Sequence, residues 1–312
     1  MRVLVIGATG AIGTRLVPQL KEAGHDVIGT SRSREKAVQL RSLGAEPVVL
    51  DALDAEAVRR TFVGARPEAV IYQATALADL SDLKNFDASF SSTNKLRTEG
   101  VDIMLAAADE AGVSRIVAQS YASHRYARVG GPVKSEEDPL DLAPPHPQSL
   151  AAMAHTDQAV TAAGGVALRY GAFYGDPADA LASVVRAGQF PVIGDGAGIW
   201  SHVHLEDAAS ATVLALQHAG PAIYNIVDDD PAPTGVWLPE LAKILGAPPP
   251  PQLSESDARA LAGETMVIFG TESRGASNAK AKAELGWALR YPSWRQGFVA
   301  TYGQARLDKQ SA

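Results

Sequence analysis

The amino-acid sequence predicts an α/β protein that has a doubly wound parallel sheet and a smaller C-terminal lobe. Short apolar segments alternate with helical segments as far as Gly171, and a glycine-rich turn joins the first strand to the first helix. After Gly171 the alternation is interrupted, and Gly, Ala and Pro become frequent over residues 173–198. Regular alternation is typical of parallel sheets, in which right-handed crossover helices cover both faces.

The strands before Gly171 are predicted from short apolar or β-branched segments that turn residues bound: Arg2–Ile6, Asp26–Gly29, Glu46–Leu50, Ala69–Gln73, Arg115–Ala118 and Val166–Tyr170. The first of them ends at Gly7, as a buried parallel strand would. The helices are predicted where apolar residues recur at helical spacing, and Gly24 closes the first one. They cover Ala11–Ala23, Glu35–Leu43, Ala55–Phe62, Thr93–Ala111 and Ser149–Ala162.

The elements beyond Gly171 are fewer and less regular. We predict a helix near Asp179–Ala187, a strand over Trp200–Leu205 and a helix over Glu206–Gln217. Ile223–Val227 is expected to return a strand to the main sheet, because it is again apolar and β-branched. The Pro-rich Ala247–Pro251 and the segment that follows it are expected to form a cap.

Composition excludes several classes of function. The 312 residues carry a net charge of −7 and the basic residues are dispersed, which argues against a nucleic acid or an anionic membrane as partner. No apolar run approaches the roughly 18 residues of a membrane span, and Val3–Ile6 lacks the features of a signal peptide, so we expect a soluble, cytoplasmic protein. Cysteine is absent and the seven histidines form no ligand-like pair, so we expect no metal site.

The turn after the first strand has the pattern of a phosphate-binding loop. It reads Gly7-Ala8-Thr9-Gly10-Ala11-Ile12-Gly13 and opens the first helix. Glycines allow the backbone to approach a pyrophosphate, whose charge is favoured by the free N–H groups at a helix N-terminus. A glycine triplet also occurs in ordinary tight turns, but here it lies within a complete βαβ unit. We therefore predict dinucleotide binding by Gly7, Thr9, Gly10, Ala11, Ile12 and Gly13.

The end of the second strand indicates which dinucleotide is bound. A site for NAD places a carboxylate here to accept from the ribose 2′-hydroxyl. The chain has Thr30-Ser31-Arg32-Ser33-Arg34 instead, so Ser31 and Arg32 can hold a 2′-phosphate. The alternative is that Arg32 and Arg34 only begin a solvated helix. We predict NADP (NADPH) as cofactor and regard NAD as the weaker candidate.

Several further segments resemble the extended short-chain dehydrogenase/reductase superfamily, also called the NAD-dependent epimerase/dehydratase group. The matching segments are Asp51-Ala52-Leu53, Gln73-Ala74-Thr75-Ala76, the stretch Trp200–Ala209, Tyr224–Val227 and Asn278–Trp287. The resemblance implies a Rossmann-like fold and a cofactor site that includes Asp51, Ala52, Ala74, Thr75 and Ala76. It also implies a dinucleotide-binding domain over residues 1–171 and a mainly substrate-binding lobe over 172–312, with 200–228 returning to the Rossmann core.

The chain departs from that family where its chemistry is concentrated. The family uses Tyr-x-x-x-Lys, in which the lysine cation lowers the pKa of the tyrosine phenol. No such motif occurs here, and the resemblance aligns Ser149 and Met153 with its two positions. The family's catalytic Ser or Thr aligns with Ser120 or, in the register that we prefer, with Tyr121. Trp200 stands where members that act on sugar nucleotides commonly have an arginine.

A reductase without the motif needs another proton donor. Tyr121 is the first candidate because strand five should deliver it to the carboxyl edge of the sheet, where such sheets bind ligands. Ser120, Tyr174 and the loop residue His124 are further candidates, although each is also compatible with simple packing. His204 and Asp207 are expected to hold a strand–helix junction together, and Asp207 also to cap the helix.

Three functions are compatible with these features. The first is an NADPH-dependent reductase that acts on a carbonyl or activated alkene of a small, fairly apolar molecule. The second is a non-redox isomerase, lyase or cyclase on the same scaffold, which the missing Tyr and Lys favour. The third is a binding protein that senses NADP(H). The substrate, the stereochemistry and the oligomeric state, a homodimer included, stay open at this point.

Overall fold

The computed structural model of the chain describes residues 1–77, 84–122, 125–141, 143–176 and 179–303. Its first half alternates strands and helices. In chain order these are β1 (Arg2–Ile6), α1 (Gly13–Glu22), β2 (Asp26–Ser31), α2 (Arg34–Ser42), β3 (Glu46–Val49), α3 (Ala55–Ala65), β4 (Ala69–Tyr72), α4 (Phe86–Ser89), α5 (Ser91–Lys95), a π-helical turn (Leu96–Gly100), α6 (Val101–Glu110), β5 (Arg115–Tyr121), β6 (Val133–Lys134), α7 (Pro147–Ala162) and β7 (Val166–Tyr170).

The second half contains shorter strands. In chain order its elements are β8 (Ala172–Tyr174), α8 (Ala180–Arg186), β9 (Val192–Ile193), β10 (Ile199–Trp200), β11 (His202–His204), α9 (Leu205–Ala215), β12 (Ala222–Ile226), β13 (Ala232–Pro233), α10 (Thr234–Leu245), β14 (Gln252–Leu253), α11 (Glu255–Ala262), α12 (Glu264–Thr271), β15 (Gly275–Ala276), α13 (Ala279–Leu285) and α14 (Trp294–Tyr302). In the described ranges, no helix has the length and apolar character needed to cross a membrane.

The main sheet confirms the predicted fold class. Its seven strands are ordered β12-β7-β5-β4-β1-β2-β3, and every neighbouring pair is parallel. The chain runs outward from β1 to β3 and then crosses back to β4 on the other side of β1. The carboxyl ends of β1 and β4 therefore flank the point where the strand order reverses, which is where open α/β sheets bind ligands.

Alternating side chains of each strand build two apolar layers, one on each face of the sheet. In β1, Val3 and Val5 contribute to the layer beneath α1 and α9, whereas Leu4 and Ile6 contribute to the layer beneath α3 and α6. Because both faces are covered, Val3, Leu4, Val5 and Ile6 of β1 are apolar without interruption. These layers hold the strand ends rigidly and so position the loops at the carboxyl edge.

The predicted strand over Trp200–Leu205 is wrong as a single element. Trp200 pairs antiparallel with Ala232, whereas His202 pairs parallel with Ala172, so the ladder changes partner at Ser201. The Ser201 hydroxyl oxygen accepts a hydrogen bond from the amide of Ala276 at 2.8 Å, which ties the crossing point to a third segment. Alternation of apolar residues does not report such a change, because both short strands continue the same period.

Candidate active site

A cleft of about 560 Å³ opens at the carboxyl ends of β1, β2 and β4. We call it the cofactor cleft. All the predicted cofactor residues except Asp51 line it: Gly7, Thr9, Gly10, Ala11, Ile12, Gly13, Ser31, Arg32, Ala52, Ala74, Thr75 and Ala76. The Asp51 carboxylate instead accepts the amide N–H of Leu53 at 3.0 Å and is exposed outside the cleft. Asp51 therefore shapes the turn after β3 and does not line the cleft.

The three loop glycines differ in the space around them that a side chain would need. A Cβ on Gly7 would lie 2.8 Å from the backbone of Gln73, and one on Gly13 would lie 2.5 Å from the carbonyl carbon of Ala8. Both glycines are thus required by close backbone packing. A Cβ on Gly10 would meet nothing closer than the Gly7 carbonyl oxygen at 3.4 Å. Of the three, only Gly10 leaves open space toward the cleft, and that space suits a pyrophosphate next to the N-terminus of α1.

Hydroxyl groups join the loop to the end of β2. The Thr30 hydroxyl accepts the Gly7 amide at 3.2 Å, and the Thr9 hydroxyl donates to Ser31 Oγ at 3.3 Å. Ser31 Oγ also accepts the amide of Ser33, whose own hydroxyl oxygen accepts the Lys36 amide and so caps α2. These short polar side chains hold the loop and the start of α2 in one arrangement at the end of the cleft next to β2.

Two cations face this end of the cleft. Arg32 and Lys36 both line it, and neither side chain forms an ion pair or hydrogen bond with any residue that the structure describes. Arg34, the first residue of α2, is exposed and does not line the cleft. Lys36 was missed by the sequence analysis, because it lies in the first turn of α2 whereas Arg32 precedes the Ser33 cap, and no spacing rule within one element relates the two.

The opposite end of the cleft is lined by Gln73, Leu96, Gln119 and Phe173, of which the sequence analysis assigned no role to Leu96 and Gln119. The Gln73 amide donates to the Tyr170 phenol at 3.1 Å, and that phenol lies 2.7 Å from the Thr212 hydroxyl. Burial raises the pKa of Tyr170 to about 12, so this phenol stays protonated. It orients Gln73 but is too buried to contact a ligand.

Ser120 and Tyr121 end β5 immediately beyond Gln119. Ser120 is buried and its hydroxyl oxygen accepts a hydrogen bond from the Arg125 guanidinium at 3.1 Å. Arg125 also donates to the carbonyl oxygen of Tyr121 at 3.0 Å. The Tyr121 side chain retains partial exposure, so of the two candidates it is the one with surface left for a substrate.

Arg125 belongs to a buried ionic cluster behind this strand end. Its guanidinium donates to Asp157 Oδ2 at 2.7 Å, and the same oxygen accepts from Arg169 Nε at 2.9 Å. Arg169 also donates to the Tyr126 phenol at 3.1 Å. Burial lowers the pKa of Arg125, and the Asp157 carboxylate acts against that effect. One carboxylate thus serves two buried guanidinium groups.

Tyr174 is not brought to the cleft. It is 1% exposed and packs against Phe298, and its hydroxyl fills the space that a Cβ on Gly297 would occupy. Burial, with the carboxylates of Asp228 and Asp207, raises the pKa of Tyr174. A phenol in this environment has no route to a substrate, so the prediction for Tyr174 is not supported by its position. His124 lies outside the described residues.

Ser149 and Met153 are both buried on α7. The Ser149 hydroxyl donates to Asp87 Oδ1 at 2.7 Å and accepts from the Asn94 amide at 3.0 Å. Asp87 also accepts the amides of Gln148 and Ser149, so it satisfies the N-terminus of α7. The Ser149 hydroxyl is therefore part of a helix-capping arrangement.

The junction between β11 and α9 is held as predicted, with the roles distributed differently. His204 caps α9, since its Nδ1 accepts the amide of Glu206 at 3.1 Å. Asp207 accepts the amides of Arg290 and Tyr291 and so anchors the C-terminal segment rather than capping the helix. Burial lowers the pKa of His204 to about 4, which keeps its ring neutral and able to accept.

The Trp200 side chain contacts α10 and α12. Its indole N–H donates to the Phe269 carbonyl oxygen at 3.0 Å, and its ring packs on Trp237. Within the described part of the chain, no group of three His, Asp or Glu side chains is arranged to hold a metal ion.

These features agree with comparisons with known proteins. The model of the NAD-dependent epimerase/dehydratase family matches residues 3–227, which include the glycine loop, the sheet and the residues at the ends of β4 and β5. The chain belongs to this family. The fold of the chain is also similar to that of a solved epimerase. A UDP-glucose 4-epimerase of Thermus thermophilus, solved in complex with NAD, superposes on this chain with a TM-score of 0.76. The two sequences are 25% identical, and the superposition covers 98% of this chain and 99% of that one.

Two relatives of this protein within the family are named as reductases. A 3-diazoavenalumate denitrifying reductase of a Streptomyces species is 41% identical over 95% of this chain and 99% of the relative. A 2-alkyl-3-oxoalkanoate reductase of Stenotrophomonas maltophilia is 28% identical over 80% of this chain and 77% of the relative. The protein is accordingly an NAD(P)-dependent oxidoreductase of the extended short-chain dehydrogenase/reductase type.

Proposed function

We propose that the protein is an NADPH-dependent reductase of a small, fairly apolar molecule. The observation that carries the cofactor choice is the pair of uncommitted cations, Arg32 and Lys36, at the adenosine end of the cofactor cleft. A ribose 2′-phosphate between them would gain charge-assisted hydrogen bonds of about 1.5–3 kcal/mol each. No carboxylate occupies the end of β2, Ser31 and Arg32 standing there instead. NADPH supplies a hydride when it is bound.

The cofactor choice is tested by equilibrium titration of NADPH and NADH. We expect NADPH to bind more tightly, and we expect Arg32→Ala and Lys36→Ala each to weaken NADPH by roughly 10–100-fold with little change for NADH. Arg34→Ala is the matched control, since Arg34 is a neighbouring cation outside the cleft. Equal losses for both cofactors would show that these cations do not bind the 2′-phosphate.

For the acceptor, we propose a carbonyl or an activated alkene, with Tyr121 as proton donor. Reduction of a carbonyl creates an alkoxide, which needs a proton and nearby positive charge. Tyr121 ends β5 two residues after Gln119, which lines the cleft. Tyr121→Phe removes one oxygen and little volume, so we expect turnover to fall by roughly 10²-fold while NADPH affinity is retained.

A second acceptor is favoured by one specific relative. The Streptomyces reductase that is 41% identical is named for the loss of nitrogen from a diazo compound. In that type of reaction a diazonium carbon accepts the hydride, the C–N bonding pair leaves with dinitrogen, and no alkoxide forms. Such chemistry needs no phenol tuned by a lysine, which agrees with the absence of Tyr-x-x-x-Lys from this sequence.

The two acceptors are distinguished with one panel. The purified protein is incubated with NADPH and either aryl ketones, enones or aryl diazonium carboxylates, and NADPH oxidation and dinitrogen release are followed together. Carbonyl reduction that is lost in Tyr121→Phe supports the first acceptor. Stoichiometric dinitrogen release that survives in Tyr121→Phe supports the second, and no NADPH oxidation with any class would contradict the proposal.

A further inference from the structure

Two glutamines stand side by side at the end of the cofactor cleft that lies away from β2. The last paired residues of β4 and β5 are Tyr72 and Ala118, and the same register places Gln73 next to Gln119. Neighbouring strands lie about 4.7–4.9 Å apart, and side chains at matching positions of a parallel pair point to the same face. Both glutamines line the cleft. They therefore present two primary amides together, which we call the amide pair.

Hydrogen bonds behind Gln73 decide which atom of its amide stays free. The Thr212 hydroxyl donates its single proton to the Ala208 carbonyl oxygen at 2.7 Å, one turn earlier in α9. The Tyr170 phenol, 2.7 Å from Thr212 Oγ1, must therefore be the donor of that pair. With its proton used there, the phenol oxygen can only accept, so it is the Gln73 NH2 group that donates to it at 3.1 Å. The remaining atom of the amide is the carbonyl oxygen, Gln73 Oε1.

Gln73 Oε1 is an acceptor for which the described part of the chain supplies no donor. Gln73 is 5% exposed, and none of the residues that the structure describes donates a hydrogen bond to this oxygen. Buried polar atoms are nearly always hydrogen-bonded, so an unpartnered one requires a specific explanation. The Gln119 side chain is half-buried, and its amide likewise has no partner among the described residues. A ligand that carries both an N–H donor and a carbonyl acceptor would satisfy both glutamines at once.

The position of the amide pair along the cleft indicates which group of a dinucleotide it meets. The pyrophosphate suits the space at Gly10 beside the N-terminus of α1, and the end of β2 is where such folds bind the adenosine ribose. Gln73 and Gln119 follow β4 and β5, on the other side of the glycine loop from β2. A dinucleotide that has its adenosine on one side of the pyrophosphate must have its nicotinamide on the other. Nicotinamide carries a primary carboxamide, with two N–H donors and one carbonyl acceptor.

We propose that the amide pair recognises the carboxamide of the nicotinamide ring. Gln73 Oε1 accepts one carboxamide N–H, and the Gln119 NH2 group donates to the carboxamide oxygen. Tyr170 and Thr212 are positioning residues, because they hold the Gln73 amide with its oxygen as the free acceptor. Recognition of this substituent fixes which face of the ring is turned toward the substrate. The inference concerns the half of the cofactor that NAD and NADP share, so it does not rest on the proposed preference for NADPH.

The test compares equilibrium binding of the oxidised cofactor with that of its 3-acetylpyridine analogue, in which a methyl ketone replaces the carboxamide. The analogue keeps the carbonyl acceptor and loses both N–H donors, so Gln73 Oε1 stays without a partner when it binds. We expect the wild type to bind the analogue roughly 5–100-fold more weakly than the cofactor. In Gln73→Leu the two dissociation constants should agree within about threefold, because no unsatisfied acceptor remains. The ratio of the two constants is the readout, so a general loss of affinity cancels.

Three further variants separate the roles of the residues. Gln119→Leu is the matched control within the cleft: it should weaken both ligands alike and keep the ratio, because both carry the carbonyl oxygen that Gln119 contacts. Tyr170→Phe removes the phenol that holds the Gln73 amide, so it should lower the ratio although Tyr170 does not line the cleft. Gln158→Leu, on the exposed side of α7, should change neither dissociation constant.

The proposal is overturned if the wild type binds the cofactor and the analogue equally well. It is also overturned if Gln73→Leu, shown by thermal unfolding to be folded, keeps the wild-type ratio. Binding is measured without substrate, with whichever of NAD and NADP binds more tightly, so the outcome is separate from that of the reductase assays. A protein that prefers NAD, or that reduces none of the acceptors, would refute the proposed function and leave this inference standing.

Discussion

The glycine loop offers a prediction in which folding and cofactor binding respond to different residues. Gly10→Ala adds a methyl group whose nearest neighbour is a carbonyl oxygen at 3.4 Å, an ordinary contact, and Gly10 does not have a positive φ. Alanine is therefore compatible with the backbone, and it should change the free energy of unfolding by only about 0.4–1 kcal/mol, in the stabilising direction. The same methyl group occupies the space toward the cleft, so we expect NADPH affinity to fall by roughly tenfold or more, which is about 1.4 kcal/mol.

Gly13→Ala should have the opposite effect. Its Cβ would lie 2.5 Å from the Ala8 carbonyl carbon and 2.7 Å from the Ala8 Cα, so backbone atoms must move. Overpacking of this kind costs about 1–3 kcal/mol, and we expect the upper end because no flexible side chain can yield. Urea unfolding without cofactor measures stability, and fluorescence titration with NADPH measures affinity. Wild-type NADPH affinity in Gly10→Ala, or wild-type stability in Gly13→Ala, would refute the assignment.

Two further predictions concern buried polar groups. Burial, with the nearby carboxylates of Asp230 and Asp229, raises the pKa of Asp228 to about 8. The folded protein then keeps a proton that the unfolded chain releases near pH 4, so the wild type should lose stability as the pH rises from about 4 to 8, by up to about 1.4 kcal/mol per unit. Asp228→Asn should flatten this dependence in urea unfolding between pH 5 and 8, and an unchanged slope would contradict it. Ser149→Ala should keep turnover within a few-fold of wild type. It should lower the free energy of unfolding by about 1–2 kcal/mol, because Asp87 and Asn94 each lose a hydrogen-bond partner. A large loss of turnover at normal stability would instead indicate a catalytic role for Ser149.

Most elements of the main sheet were predictable because their signals are local. Arg2–Ile6 and Val166–Tyr170 are the same in prediction and structure, since a short apolar segment between turn residues has few alternatives inside an alternating chain. The glycine loop was equally predictable from the sequence, because glycines act through the backbone conformation that they allow. Boundaries moved where tertiary contacts extend an element: β5 continues three residues beyond Ala118, to Tyr121, because Ser120 and Tyr121 still pair with β7.

The candidate catalytic residues were less predictable, because their roles depend on contacts between distant segments. Tyr174 and Gly297 are far apart in the sequence, yet the Tyr174 hydroxyl fills the space that a Cβ on Gly297 would need. The role of Ser149 depends on Asp87, whose carboxylate accepts the Ser149 hydroxyl. No spacing within one segment reports these pairs.

The sequence by itself determined the alternating architecture, the phosphate loop and the hydroxyl and arginine residues at the end of β2, because each depends on neighbours in the chain. The tertiary structure alone decided which polar groups reach the cofactor cleft and which are buried and paired inside the fold. Lys36 and Arg32 keep free charges at the cleft, whereas Arg125 and Arg169 share Asp157 in the interior. The physical reason is that burial and pairing decide whether a polar side chain can contact a ligand, and both are properties of the whole fold.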